Sequence, residues 1–224
     1  MVVNRLGVFW LLYPNDWIDN RILIGRPFER EQIVFAEECI KSNNINVFFD
    51  CGANIGLYSI LLGEKINHLQ IHSFEPVPKT WGRLVSNITL NNLSDRVNAH
   101  NFGLGDKINC LDISIDSSSS GCATFDTDAK NHPKRNFDQV SKVNISVFDD
   151  HFKETGCNAF FKIDIEGYEA AALVGMEKYL TNNNCILQIE LWEQHYDEVV
   201  KWLELLGYSI FKNIGHDIYF KKKN

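Results

Sequence analysis

Val47-Phe48-Phe49-Asp50-Cys51-Gly52-Ala53-Asn54-Ile55-Gly56 is the stretch on which the reading of this chain turns. A short apolar run from Asn46 stops at an acid and a glycine turn, which predicts a buried strand ending at Asp50. A helix is expected from about Ile55, carrying Tyr58, Leu61 and Leu62.

The same rhythm extends downstream. Gln70 to Glu75 predicts a second strand that again ends in an acid, broken by Pro76 and Pro78. Trp81, Leu84, Val85 and Ile88 then recur at the spacing of a core-facing helical stripe. A third strand is expected near Val97 to Phe102, with Gly103 and Gly105 turning the chain. After an interruption, Ala159 to Asp164 predicts a strand, followed by one helix through Ala172, Leu173, Met176 and Leu180. Cys185 to Leu191 predicts another, before a helix with Tyr196, Val199, Val200, Leu203 and Leu206 on one stripe. Gly207 suits a helix C-terminus, and Tyr208–Phe211 with Asp217–Lys221 reads as a hairpin around Gly215. Alternating strands and helices imply an α/β domain, a mostly parallel sheet covered on both faces.

The interruption spans about 106–148. Leu111 to Ile115 and Val143 to Val147 alternate apolar and polar, as half-buried antiparallel strands do. Between them lie Ser117-Ser118-Ser119-Ser120-Gly121 and Asn131-His132-Pro133-Lys134-Arg135, a polar excursion that reads as a lid or as an insertion without function.

The 224 residues, 45% of them hydrophobic, suit a single domain: an N-terminal helical and aromatic segment over 1–45 packing on a domain over 46–224. Six scattered cysteines show no zinc spacing and no disulfide framework, so reduced thiols and a cytoplasmic location are expected. A net charge of −7 is the wrong sign for gripping nucleic acid over a broad surface, and none is expected as partner. Lys221-Lys222-Lys223 reads as a solvated tail. Leu6 to Tyr13 is too short to span a bilayer and lacks a cleavage site, so neither a transmembrane segment nor a signal peptide is expected.

Ligands of open α/β sheets bind beyond the carboxyl ends of the strands. Three strands end in carboxylates, Asp50, Glu75 and Asp164, and Glu190 lies near the end of a fourth. The Gly52 to Gly56 spacing is not that of pyrophosphate binders. Gly52 would turn the backbone close to a ligand, Gly56 would let the helix pack near the strand, and the helix N-terminus with Asn54 would meet a carboxylate. Asp50 would partner a positive group, so a zwitterionic tail on a nucleoside meets both requirements. Glu75, 25 residues after Asp50, stands where such folds place the acid that takes ribose hydroxyls. Asn101 and Phe102 are placed to bond and pack against an adenine, although Phe102 also reads as simple core.

Val47 to Ser59, Phe74-Glu75-Pro76, the Asn87/Asn91 stretch and Lys162-Ile163-Asp164-Ile165-Glu166-Gly167-Tyr168-Glu169 together closely resemble the FkbM-type methyltransferases, over roughly residues 16 to 191. The resemblance implies a Rossmann-like class I methyltransferase fold with a seven-stranded, mostly parallel sheet. It implies S-adenosylmethionine as donor, S-adenosylhomocysteine as product, and O-methylation of a hydroxyl on a sugar, glycan or natural product.

A hydroxyl acceptor must shed a proton, which calls for a base or a metal. Lys162, Asp164 and Glu166 are the leading candidates, with Lys162 and Asp164 on one face of the strand and Asp164 reaching the donor end. Glu166 and Glu169 divide two roles, one capping a helix and one facing substrate. Glu190 with His195 is a second candidate pair, and a divalent cation on Asp164 and Glu190 a third arrangement. Specificity is expected from the aromatic Tyr13 to Phe28 segment and the 106–148 excursion. A binding protein that has lost chemistry and a nucleic-acid methyltransferase stand as alternatives, and a homo-oligomer is compatible with everything above.

Overall fold

The computed structural model describes residues 1–26, 28–116, 119, 123–125 and 137–223. The chain opens with a hairpin of β1 (Val2–Arg5) and β2 (Val8–Leu11), then α1 (Trp17–Leu23) and α2 (Arg30–Ser42). The aromatic front of the chain is therefore strand before it is helix. Trp10 and Leu12 are fully buried in the main core, while Phe9 is 48% exposed.

The rhythm that follows is β3 (Val47–Cys51), α3 (Leu57–Lys65), β4 (Gln70–Phe74), α4 (Pro78–Leu90) and β5 (Val97–His100). It resumes with α5 (Phe148–His151), β10 (Asn158–Ile163), α6 (Glu169–Val174), α7 (Glu177–Asn182), β11 (Asn184–Glu190) and α8 (Glu193–Leu205). The hairpin of β12 (Tyr208–Ile214) and β13 (Asp217–Lys222) closes it. These strands form one seven-stranded sheet in the order β12-β13-β11-β10-β3-β4-β5. All neighbours from β11 to β5 are parallel, and β13 pairs antiparallel with β11 and β12. The order reverses between β3 and β10, so the switch point falls where Asp50 and Asp164 end their strands.

The sheet separates two cores. Phe48, Phe160 and Ile186 face α2 and α3, and Phe49, Phe161 and Leu187 face α6 to α8. Burial on both faces is why the central strands read as continuous apolar runs.

The interruption holds β6 (Gly103–Leu104), β7 (Asn109–Asp116), β8 (Ala123–Thr124) and β9 (Phe137–Ser146), a second sheet ordered β6-β9-β7-β8. Leu111 pairs with Val143 across the antiparallel β7–β9 ladder, as the alternating pattern required. The turn expected at Gly103 is instead a short strand parallel to β9. Of the polar excursion, Ser117, Ser118, Ser120, Gly121 and Asn131 to Arg135 lie outside the described residues, as does the lid read into it.

The single helix expected through Met176 is two. A Cβ on Gly175 would lie 2.1 Å from the Gly105 carbonyl oxygen, and the Gly175 carbonyl accepts a hydrogen bond from the Asp149 amide. Backbone contact with Gly105 and Asp149 thus diverts the helix at that point. Among the described residues no helix is long and apolar enough to cross a membrane.

Candidate functional site

A cavity of about 580 Å³ opens at the carboxyl ends of β3, β4, β10 and β11. Its floor belongs to a polar row crossing the sheet. Ser73, Asp50, Lys162, Gln188 and Tyr219 pair side by side on five adjacent strands, and all are buried.

Asp50 is 1% exposed. Its Oδ2 accepts the Ser59 amide at 3.2 Å and the Ser59 hydroxyl at 2.5 Å, and the Ser73 hydroxyl lies 2.7 Å beyond. The acid at the strand end thus accepts one amide of the first turn of α3, that of Ser59. Burial raises the Asp50 carboxyl, with Lys162 and Ser59 opposing. Its Oδ1, like Asn54 Oδ1, is buried without a partner among the described residues.

Gly52, at φ +85, turns the chain, lines the cavity and leaves room for the Asp164 carbonyl. Gly56 starts α3 at φ +94 and faces Leu84 of α4, where a Cβ would come within 2.7 Å.

Glu75 is 7% exposed and lines the cavity. Its two oxygens accept the Val77 amide at 2.9 Å and the Asn54 amide at 3.1 Å, clamping the glycine loop to the next strand. Burial pushes its carboxyl up to about 7 against those two bonds.

Asn101 and Phe102 do not line the cavity. Asn101 donates to the carbonyls of Glu75 and Pro76 at 3.0 and 3.2 Å, bracing the clamp from behind. Phe102 packs into the second core against Phe74 and stacks on His151. Gly103 and Leu104 stand at the wall in their place.

Lys162 is 5% exposed, with Nζ 2.8 Å from Asp164 Oδ2 and 5.2 Å from the Tyr58 ring centre. Burial alone would lower its pKa, but Asp164, Glu29 and Asp50 more than offset that and hold it well above the usual lysine range. Lys162 thus stands as a cation among carboxylates. Asp164 is also hydrogen-bonded to Glu190, whose carboxyl burial and Asp164 push up to about 10. Among the described residues no cluster of three or more His, Cys, Asp or Glu side chains is arranged around a metal position.

The two glutamates after the strand differ in their surroundings. Glu169 Oε1 accepts the amides of Ile165 and Gly167, both at 3.1 Å, and caps the turn. Glu166, at φ 51, lines the cavity, and its carbonyl accepts the Thr124 hydroxyl at 2.7 Å. His195 lies outside the cavity. Among the described residues the lining histidine is His216, stacked on Trp192 with ring centres 4.4 Å apart.

Glu29 had no sequence signal. It sits at φ 59 between α1 and α2 and lines the cavity near Lys162, Asp164 and Asp217, hydrogen-bonded to the Tyr58 hydroxyl. Burial of its carboxyl pushes it up to about 7, with Lys162 opposing. Behind it, Gln188 Nε2 donates to Tyr58 and Asp217 at 2.9 and 2.8 Å, and Gln32 donates to Asp217 at 3.2 Å. Trp17 and Phe28, from the aromatic segment expected to set specificity, complete the wall.

Residues 50–210 match the sequence model of the Methyltransferase FkbM domain. Methyltransferase sdnD of Sordaria araneosa is 25% identical over 188 residues, 71% of this chain and 73% of that protein. Methyltransferase 1 of Beauveria bassiana (strain ARSEF 2860) is 25% identical over 143 residues, and the match spans 57% of each. Among solved structures, Methyltransferase FkbM from Methylobacillus flagellatus KT superposes with a TM-score of 0.54 at 19% identity, over 79% of this chain and 44% of that one. A Staphylococcus aureus structure assigned as a caffeoyl-CoA O-methyltransferase gives 0.52 at 11% identity, over 88% and 85%. The chain thus spans less than two thirds of the second curated relative and of the Methylobacillus structure.

Proposed function

We propose, for a chain that belongs to the FkbM methyltransferase family, that it moves a methyl group from S-adenosylmethionine to a hydroxyl of a sugar, glycan or other natural product. The observation that carries this reading is the pair Asp50 and Glu75. They end neighbouring parallel strands, line one cavity, and hold the 52–56 loop between them.

The residues present fit a nucleoside with an amino-acid tail. Asp50 Oδ1 and Asn54 Oδ1 are buried acceptors with no partner among the described residues, and leaving such atoms unpaired costs about 1–3 kcal/mol each. An ammonium would satisfy them. The Glu75 oxygens each keep a lone pair for a ribose hydroxyl after accepting one amide. The bound donor would supply a methyl carbon made electrophilic by a sulfonium.

The acceptor hydroxyl has to lose its proton as the new C–O bond forms. We assign that proton to the Asp164–Glu190 carboxyl pair. Lys162 stays charged and holds Asp164 in place, and Glu166 forms wall. Positioning against the donor supplies much of the rate in an in-line displacement. Calorimetric titration with S-adenosylhomocysteine tests the reading, repeated on Glu75→Ala. Wild-type binding that weakens at least tenfold in the variant is expected. No heat from the wild type, or equal affinity in the two, would overturn it.

A further inference from the structure

We propose that the acceptor carries a cationic nitrogen beside an apolar body, held between Glu29 and Glu190 by two aromatic pairs at the cavity mouth. The inference rests on the methyl-transfer reading and narrows its substrate class.

The donor side has its own buried oxygens, on Asp50 and Asn54, to receive the donor's ammonium. Glu29 and Glu190 line the same cavity beyond Lys162 and are left to the second substrate. The rings beside them come in pairs. Trp17 meets Phe28 edge to face with centres 5.5 Å apart, and Trp192 stacks on His216 at 4.4 Å. Trp17, Phe28 and Trp192 are 52%, 40% and 41% exposed. Trp17 already carries the Arg21 guanidinium 6.0 Å from its ring centre, and exposed rings such as these attract cations through the negative ring face as well as through nearby carboxylate charge.

An anionic acceptor finds no equivalent. Lys162 is the one Lys or Arg among the described residues that line the cavity, and it is already bound to Asp164. A phosphate would meet the carboxylates instead. Burial holds Glu29 and Glu190 up, with Asp164 and Asp217 adding repulsion at Glu29, Asp164 and Glu166 at Glu190, and Lys162 opposing at both. An entering ammonium would return them to their ionised form. Glu29 also lies outside the 50–210 match, so this half of the site belongs to the chain's own N-terminal segment.

The test titrates benzylamine, benzyl alcohol and phenyl phosphate into protein saturated with S-adenosylhomocysteine at pH 8, followed by calorimetry and tryptophan fluorescence. Benzylamine is expected to bind at least tenfold more tightly than benzyl alcohol, and phenyl phosphate not at all. Glu29→Gln should erase the difference while its S-adenosylhomocysteine affinity stays within about twofold. Trp17→Ala, at an exposed ring, should weaken benzylamine alone and serves if Glu29→Gln does not fold. Equal binding of amine and alcohol, tighter binding of the phosphate, or no binding of any probe would overturn the inference. If S-adenosylhomocysteine itself fails to bind the wild type, the methyl-transfer reading falls with it.

Discussion

Gly52 and Asp164 are packed so closely that a Cβ at position 52 would lie 1.8 Å from the Asp164 carbonyl oxygen. The Asp164 amide in turn donates to the Cys51 carbonyl at 3.1 Å, so the glycine turn and the end of β10 form one unit. Gly52→Ala would force both a left-handed alanine and a backbone shift. A loss of about 3 kcal/mol or more in urea unfolding is expected. A variant as stable as wild type would show that the loop and β10 are not coupled.

On the proposed reading Glu75 couples donor affinity to pH. Its carboxyl is held at about 7 by burial, above its ordinary 4.5, and a carboxylate accepts ribose hydroxyls best when ionised. S-adenosylhomocysteine should therefore bind more tightly at pH 8 than at pH 6, and Glu75→Gln should flatten that slope. For stability the sign is opposite. A raised carboxyl contributes stability below 4.5 that is lost as pH rises through about 7, and Glu75→Gln should retain it. Calorimetry and thermal melts across that window check both.

Lys162 is the cation on which Asp50, Asp164 and Glu29 depend. Lys162→Met leaves buried carboxylates without it, at an expected cost of about 3–5 kcal/mol. Adding Asp164→Asn should recover part of the loss. A double variant less stable than the single one would contradict this arrangement.

His72 Nδ1 and His100 Nε2 lie 3.1 Å apart on β4 and β5, among stacked aromatic rings. Burial lowers both, His100 to about 4, with His72 and His151 adding to the effect there. A base depressed on folding contributes stability above its unfolded pKa near 6.5, and loses it as pH falls toward 4. His100→Phe, which keeps the stacking, should therefore outlast wild type at pH 5 by about 1 kcal/mol after allowance for partial exposure. Equal acid midpoints would rule the pair out as the weak point.

Asn87 ties three elements together. Its Oδ1 accepts the Leu11 amide at 2.7 Å and its Nδ2 donates to the Ile55 carbonyl at 2.9 Å. Asn87→Ala should cost about 1–3 kcal/mol and raise proteolysis of the N-terminal hairpin under native conditions.

What could be read from the sequence followed from periodicity. Strands buried on both faces show as apolar runs, acids at their ends show as punctuation, and β7 and β9 show as alternation. Asp50, Glu75 and Asp164 were legible because topology alone brings strand ends together. Glu29 was not, since its place depends on a left-handed backbone and a contact with Tyr58 that no local pattern encodes. His195 and His216 look alike in sequence, and only the closing hairpin sets His216 beside Trp192. Asn101 and Phe102 were displaced by one turn of chain, because β5 ends at His100 and Gly103 joins the other sheet. The break at Gly175 came from a backbone neighbour, Gly105, seventy positions away.

The hydrogen bond from Gln32 to Asp217 joins positions 185 apart, and Trp17 and Glu29 share a cavity with Trp192 and His216. Contacts of such separation are made late, because their loop entropy is met only once the intervening chain has organised. On a ribosome, the 52–56 turn has its support as soon as Asp164 has emerged. The wall opposite waits for residue 217. A nascent chain would hold the half of the cavity proposed for the donor well before the half proposed for the acceptor.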